Sequence, residues 1–323
     1  MKAILSFLLV MSIGLLVPSV YADNYSYSPL RGDQSPDGPW PTAEEVREDF
    51  EQMSEDGVDR IRIFETGEML DVILEESDKY NIRIDIGIDL TEDQQENREK
   101  IAEIIRIAGD YQNVSSFIVG ANELWDKTLT VDELIENLDF ANSQTRKNIS
   151  TINGYDMWYR NHYVDVADHV DFITVNMFYQ QDSENPLDAV STIEDEVSNL
   201  ERKYEKPILV ETGWSTTESS KKQQELFFDI LNQTDVSYLQ FEWADEFWKD
   251  DPVESGYGIV QADREEKPLE PIIVQKIKGD GDVIESDSLV PSLMVGMGGL
   301  LGYKTYQHFR FPTADEWGSP YVK

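Results

Sequence analysis

Two stretches decide how this chain reads: Phe117-Ile118-Val119-Gly120-Ala121-Asn122-Glu123-Leu124 and Pro207-Ile208-Leu209-Val210-Glu211-Thr212-Gly213-Trp214. In each, a short apolar run leads into a glutamate. Short apolar runs closed by turn residues suit strands covered on both faces, as in parallel sheets. In a parallel barrel the C-terminal tips of the strands are where chemistry is done. Both glutamates are expected at such tips.

Working outward, short apolar runs alternate with amphipathic stretches. The expected strands are Tyr25–Ser28, Arg60–Phe64, Ile82–Ile88, Ser116–Val119, Ile149–Ile152, Phe172–Asn176, Ile208–Glu211 and Tyr238–Glu242. Helical patterns lie near 42–55, 67–79, 91–109, 131–147, 156–167, 187–204, 217–232 and 266–278. Thr42 with Glu45 reads as a capping box, and Thr91 with Gln94 and Thr217 with Ser220 as weaker versions of it. Eight strand–helix alternations match a (β/α)8 TIM barrel, whose usual length is about 250 residues. A doubly wound sheet would more usually open with a glycine-rich turn, and Ser28-Pro29-Leu30-Arg31-Gly32-Asp33 contains no GxGxxG.

The flanks read differently. Residues 1–22, with Lys2, an apolar Leu5-to-Val17 stretch and Val20-Tyr21-Ala22, resemble a signal peptide of a secreted or cell-surface protein. The catalytic domain is expected over 23–280. Residues 281–323 form an extension in which Ser288 to Tyr303 carries no charge. That run reads as a membrane tether or as an element packed on the barrel.

Composition narrows the function. The net charge is −37, from 64 acidic and 27 basic residues. Nucleic acid and anionic membrane surfaces are thereby disfavoured, as are uronate polymers, so a neutral substrate is expected. There is no cysteine, and the three histidines, His162, His169 and His308, show no metal-ligand spacing. No cofactor or metal is called for, and a monomer is expected. Two carboxylates facing one cleft are the working pair of a glycosidase.

The order of motifs resembles glycoside hydrolase family 17, the β-1,3-glucanase family, in its bacterial form. The segments that carry the resemblance are Tyr27-Ser28-Pro29, Gly32 to Gly38, Ile61-Arg62-Ile63-Phe64 with Phe where the family usually has Tyr, Phe117 to Glu123, Asp171 to Tyr179, Val210 to Trp214, and Phe241 to Lys267. The resemblance covers about residues 24–278. One departure stands out: Ala121 separates Gly120 from Asn122-Glu123, where the family runs Gly-Asn-Glu. A β-bulge would absorb the extra residue.

The resemblance implies retention by double displacement on a β-1,3-glucan, with Glu211 as nucleophile and Glu123 as acid/base. Carboxyl groups about 5–5.5 Å apart would suit it. It further implies that Asn122 contacts the sugar 2-hydroxyl, and that Glu246, Lys249 and Glu254 form a charged rim. Aromatic faces stack on sugars, so Tyr179 and Trp214 are expected in the cleft and Phe178 in the core. Trp40, Trp125, Trp243 and Trp248 are further aromatic candidates. Two other readings remain: a glucanosyltransferase using the same glutamates, and a non-catalytic glycan-binding envelope protein.

The charge also suggests a high-salt habitat. Raising salt from 0.1 M to 1 M shortens the screening length from about 10 Å to about 3 Å. The melting temperature should therefore rise steeply over that range, and by more than in sucrose of matched osmolality. A flat or falling melting temperature would refute the salt adaptation.

Overall fold

Eight parallel strands close on themselves in sequence order. The computed structural model describes residues 23–267 apart from 33, 65–66, 161–162, 184 and 218. The signal peptide, the expected last helix beyond residue 267 and the C-terminal extension lie outside the described residues. Among those described, no helix is long and apolar enough to cross a membrane.

The strands are β1 (Asp23–Tyr27), β2 (Val58–Ile63), β3 (Arg83–Ile88), β4 (Val114–Ala121), β5 (Asn148–Gly154), β6 (Ile173–Asn176), β7 (Ile208–Thr212) and β8 (Tyr238–Gln240). Every residue of β6 and β7 is buried, because the barrel interior covers one face of each strand and helices cover the other. The outer layer includes α1 (Ala43–Asp56), α2 (Leu70–Tyr80), α3 (Gln94–Ala108), α4 (Glu123–Asp126), α5 (Val131–Gln144), α6 (Tyr155–Tyr159), α7 (Val164–Ala167), α8 (Pro186–Tyr204) and α9 (Lys221–Leu231). The longest, α8, buries Ala189, Val190, Ile193, Val197 and Leu200 at helical spacing.

The Thr42–Glu45 capping box forms at α1. The other two expected starts are displaced. Asp93 caps α3, and a Ser220–Gln223 box caps α9. The helix expected over 156–167 is two short pieces, α6 and α7.

A closed barrel has one seam, where its first strand meets its last. Here a single pair, Tyr25 and Gln240, bridges β1 and β8. A buried ion cluster reinforces it. Arg264, in the segment after β8, binds Asp49 of α1 through Nε and Nη2, both at 3.0 Å. Asp49 also accepts from Tyr27 Oη on β1 at 2.8 Å and from Arg31 at 2.6 Å. Arg264 Nη1 holds the Leu30 carbonyl at 3.0 Å. One fully buried carboxylate thus joins the first strand, the first helix and the last loop. Removing one member of a buried pair leaves the others uncompensated. Asp49→Ala should lower the unfolding free energy, measured in urea, by about 3–5 kcal/mol. A loss under about 1 kcal/mol, the size of an exposed pair, would show that the seam does not depend on it.

Candidate active site

Glu211 is the penultimate residue of β7, and its carboxylate points into the barrel. Arg62 Nη1 on β2 reaches Glu211 Oε1 at 2.7 Å, an ion pair buried on both sides. The Ser26 hydroxyl on β1 donates to the same oxygen. Arg62 also lies over the Phe64 ring, 4.5 Å from its centroid.

Glu123 follows β4 by two residues. The expected bulge is present: Ile118 pairs with Ser150 and Ala121 with Ile152, so one residue of β4 is extra. Two left-handed residues, Gly120 (φ +85°) and Asn122 (φ +66°), carry the chain through it. Asn122 N–H binds the Ile152 carbonyl at 3.0 Å, while its side chain makes no cap on α4. Glu123 Oε1 accepts from Leu90 N–H at 3.2 Å, and Oε2 is buried with no partner. Burial pushes the Glu123 carboxyl above the usual carboxylate range, against backbone hydrogen bonds that lower it.

A third cluster follows β8. Lys249 Nζ bridges Glu246 Oε2 at 2.5 Å and Glu242 Oε1 at 3.1 Å. Trp248 Nε1 donates to Glu246 Oε1 at 3.0 Å. Burial, with Glu246 close by, holds Glu242 well above the usual range. Glu246 feels the same burial, but the Lys249 ammonium brings it below its ordinary value. Behind them, Asp245 and Lys267 pair at 2.7 Å. Glu254 is half-buried in a turn whose Ser255 carbonyl accepts from Glu246 N–H.

Partnerless buried polar atoms gather at this end of the barrel. They include Arg62 Nε, Glu123 Oε2, Asn153 Oδ1 at the end of β5, Asn176 Oδ1 at the end of β6 and Glu242 Oε2. Buried polar atoms are ordinarily satisfied, so this end suits a ligand rich in hydroxyls. Three half-buried rings stand there too. Phe241 meets Phe64 and Phe178 edge-on, with centroids at 6.3 and 5.4 Å, and Lys249 lies 4.5 Å from the Phe241 centroid. Among the described residues no cluster is set to hold a metal ion.

Residues 25–258 match the BtgE/BtgC glycoside hydrolase domain. The chain belongs to that family. Its barrel also resembles a glycoside hydrolase family 17 β-1,3-glucanosyltransferase from Rhizomucor miehei, with TM-score 0.66 and 18% identity over 76% of this chain and 95% of the other. An active-site mutant of the Rhizomucor enzyme in complex with laminaritriose matches equally. A β-glucuronidase from Ruminococcus gnavus matches with TM-score 0.57 and 14% identity, over 77% of this chain and 48% of the other. At these identities the solved structures speak for the fold. No curated protein matches the chain. A BtgE/BtgC-type chain with this barrel is a glycosidase-type enzyme, as the family 17 resemblance implies.

Within this BtgE/BtgC barrel, Glu123, Asn122 and Glu211 stand at the ends of their strands, with Glu246 and Lys249 beyond β8. Two aromatic expectations are corrected. Trp214 is 3% exposed, tilted against Phe227 at 5.3 Å, with Nε1 on Ser219 Oγ. It packs into the core and leaves no face for a sugar. Phe178, expected in the core, is half-buried against Phe241. Tyr179 is half-buried, its hydroxyl turned onto Glu196 of α8, whose carboxyl burial pushes up to about 7. Arg62, Phe64, Phe241, Glu242 and Ser26 were missed as site residues. Period-2 alternation along β1 sets Ser26 on the face opposite Tyr25 and Tyr27, the signal that could have found it. Nothing in sequence marks Glu242 off from the other acids around it.

A β-carbon on Gly120 would sit 2.8 Å from Glu123 Oε2, at a φ that side chains rarely adopt. Gly120→Ala should cost about 1–2 kcal/mol of stability from the backbone alone. It should also displace the carboxyl and cut glycosidase turnover by at least about tenfold, as small misplacements do. Unchanged turnover would show that the bulge does not set the Glu123 position.

Proposed function

We propose that this enzyme cleaves neutral β-1,3-glucan with retention, with Glu211 as nucleophile and Glu123 as acid/base. One observation carries the proposal: two strand-end glutamates at one barrel mouth sit in opposed environments. Glu211 forms an ion pair with Arg62. Glu123 is buried, which raises its carboxyl, and its partnerless Oε2 can hold a proton and deliver it. A retaining site needs this division of one carboxylate and one carboxylic acid.

In the first step Glu211 attacks the anomeric carbon. The glycosidic bond breaks as Glu123 protonates the leaving oxygen. With Glu211 esterified, its negative charge is gone, so Glu123 deprotonates the incoming water more readily. Phe64, Phe178 and Phe241 offer apolar faces to the sugar ring, and Asn122, Asn153 and Asn176 offer amides to its hydroxyls. A mouth this rich in carboxyls, with Arg62 and Lys249 already paired, repels uronates and favours a neutral chain. The leader reading places the enzyme outside the cell. Transfer to a second glucan, the activity in the name of the Rhizomucor match, uses the same two glutamates with a sugar in place of water.

Azide separates the roles. Glu211→Ala should abolish turnover on laminarin, and azide should restore it with inverted product. Glu123→Ala should lose about 10²–10⁴-fold and give retained product with azide. In the wild type, activity should fall as pH rises and Glu123 loses its proton, at a pH above the usual carboxylate range. Near-wild-type rates in both alanine variants would refute the proposal, and product sizing would separate hydrolysis from transfer.

A further inference from the structure

We propose that Ser26 is a positioning residue that, with Arg62, selects which oxygen of Glu211 attacks. This rests on the reading of Glu211 as nucleophile. Ser26 and Arg62 are register partners across β1 and β2. Partners in adjacent parallel strands stand at one level and point to one face of the sheet, so both side chains enter the barrel together. The neighbouring Tyr27 points the other way, its hydroxyl on Asp49.

Both donors end on Glu211 Oε1. Among the described residues no donor reaches Oε2. A carboxylate held by two donors on one oxygen cannot rotate about its last torsion without breaking one of them. The other oxygen is then fixed in direction and keeps its lone pairs for the substrate. Ser26 is fully buried, and its hydroxyl has no other acceptor within reach. Phe64, whose ring lies against Arg62, brings no hydroxyl to the site. Ser26 is therefore a neutral donor to Glu211, alongside the charged Arg62. A serine can orient the carboxylate without adding another charge beside it.

The test isolates attack by Glu211. In a 2-deoxy-2-fluoro-β-glucosyl fluoride extended by one β-1,3-linked glucose, the C1–Oε2 bond forms as the C1–F bond breaks. Fluoride leaves with the bonding pair, so no acid is required of Glu123. Ser26→Ala should slow labelling of Glu211 by about ten- to a hundredfold, the range for losing a hydrogen bond to a charged group. Affinity for unreactive laminari-oligosaccharides should stay the same. Ser26→Thr keeps the hydroxyl and should restore the rate. The near-isosteric Ser26→Cys, a weak donor, should fall between. Labelling at the wild-type rate in the folded alanine or cysteine variant would overturn the role of Ser26. A wild-type protein that labels elsewhere, or not at all, would instead overturn the reading of Glu211.

Discussion

The closing of the barrel is the constraint on which the site depends. Strand register fixes the height and direction of every inward side chain, and a one-residue slip exchanges the two faces. Five register pairs hold β1 to β2 but only one joins it to β8, so the docking of β1 on its β8 side leans on the Asp49 cluster that ties Tyr27, Arg31 and Arg264 together. Ser26 is one residue from Tyr27. Its aim at Glu211 on β7, 185 residues away in sequence, is thus coupled to a carboxylate that takes no part in the chemistry.

Electrostatics at the mouth follow from crowding. Glu123, Glu211, Glu242, Asp245 and Glu246 are all buried, against the buried cations Arg62 and Lys267 and the nearly buried Lys249. So many acids cannot all be ionised in a low-dielectric site. Arg62 pairs with Glu211, Lys249 with Glu246 and Lys267 with Asp245, and burial pushes Glu123, Glu242 and Asp245 toward the neutral form.

The strand order, the strand-end position of the two glutamates and the bulge were legible because each rests on local pattern: apolar runs, their terminal glutamates and one surplus residue. The aromatic wall was not. A strand end fixes the height of a side chain, but its direction depends on pleat phase and on the loop beyond. Trp214 lies three residues past Glu211, on a chain that has turned outward to Phe227. Phe178 lies two residues past Asn176 and stays in phase with it, facing the mouth. Tyr179 falls on the opposite phase and is drawn to Glu196 on α8, a partner no local window contains. Capping failed for a related reason. Thr91, Asp93, Thr217 and Ser220 are all competent caps, and where the helix first meets the barrel decides among them.

The surplus residue in β4 bears on how such sites survive insertions. Adding one residue to a strand would normally turn everything after it to the opposite face. Here Gly120 and Asn122 take up the added length in two left-handed steps, and the glutamate beyond keeps its orientation. The position of a reactive group is then inherited independently of the residue count leading to it. An alignment that forbids gaps inside strands would set Asn122 and Glu123 one place out of step with a contiguous Gly-Asn-Glu run.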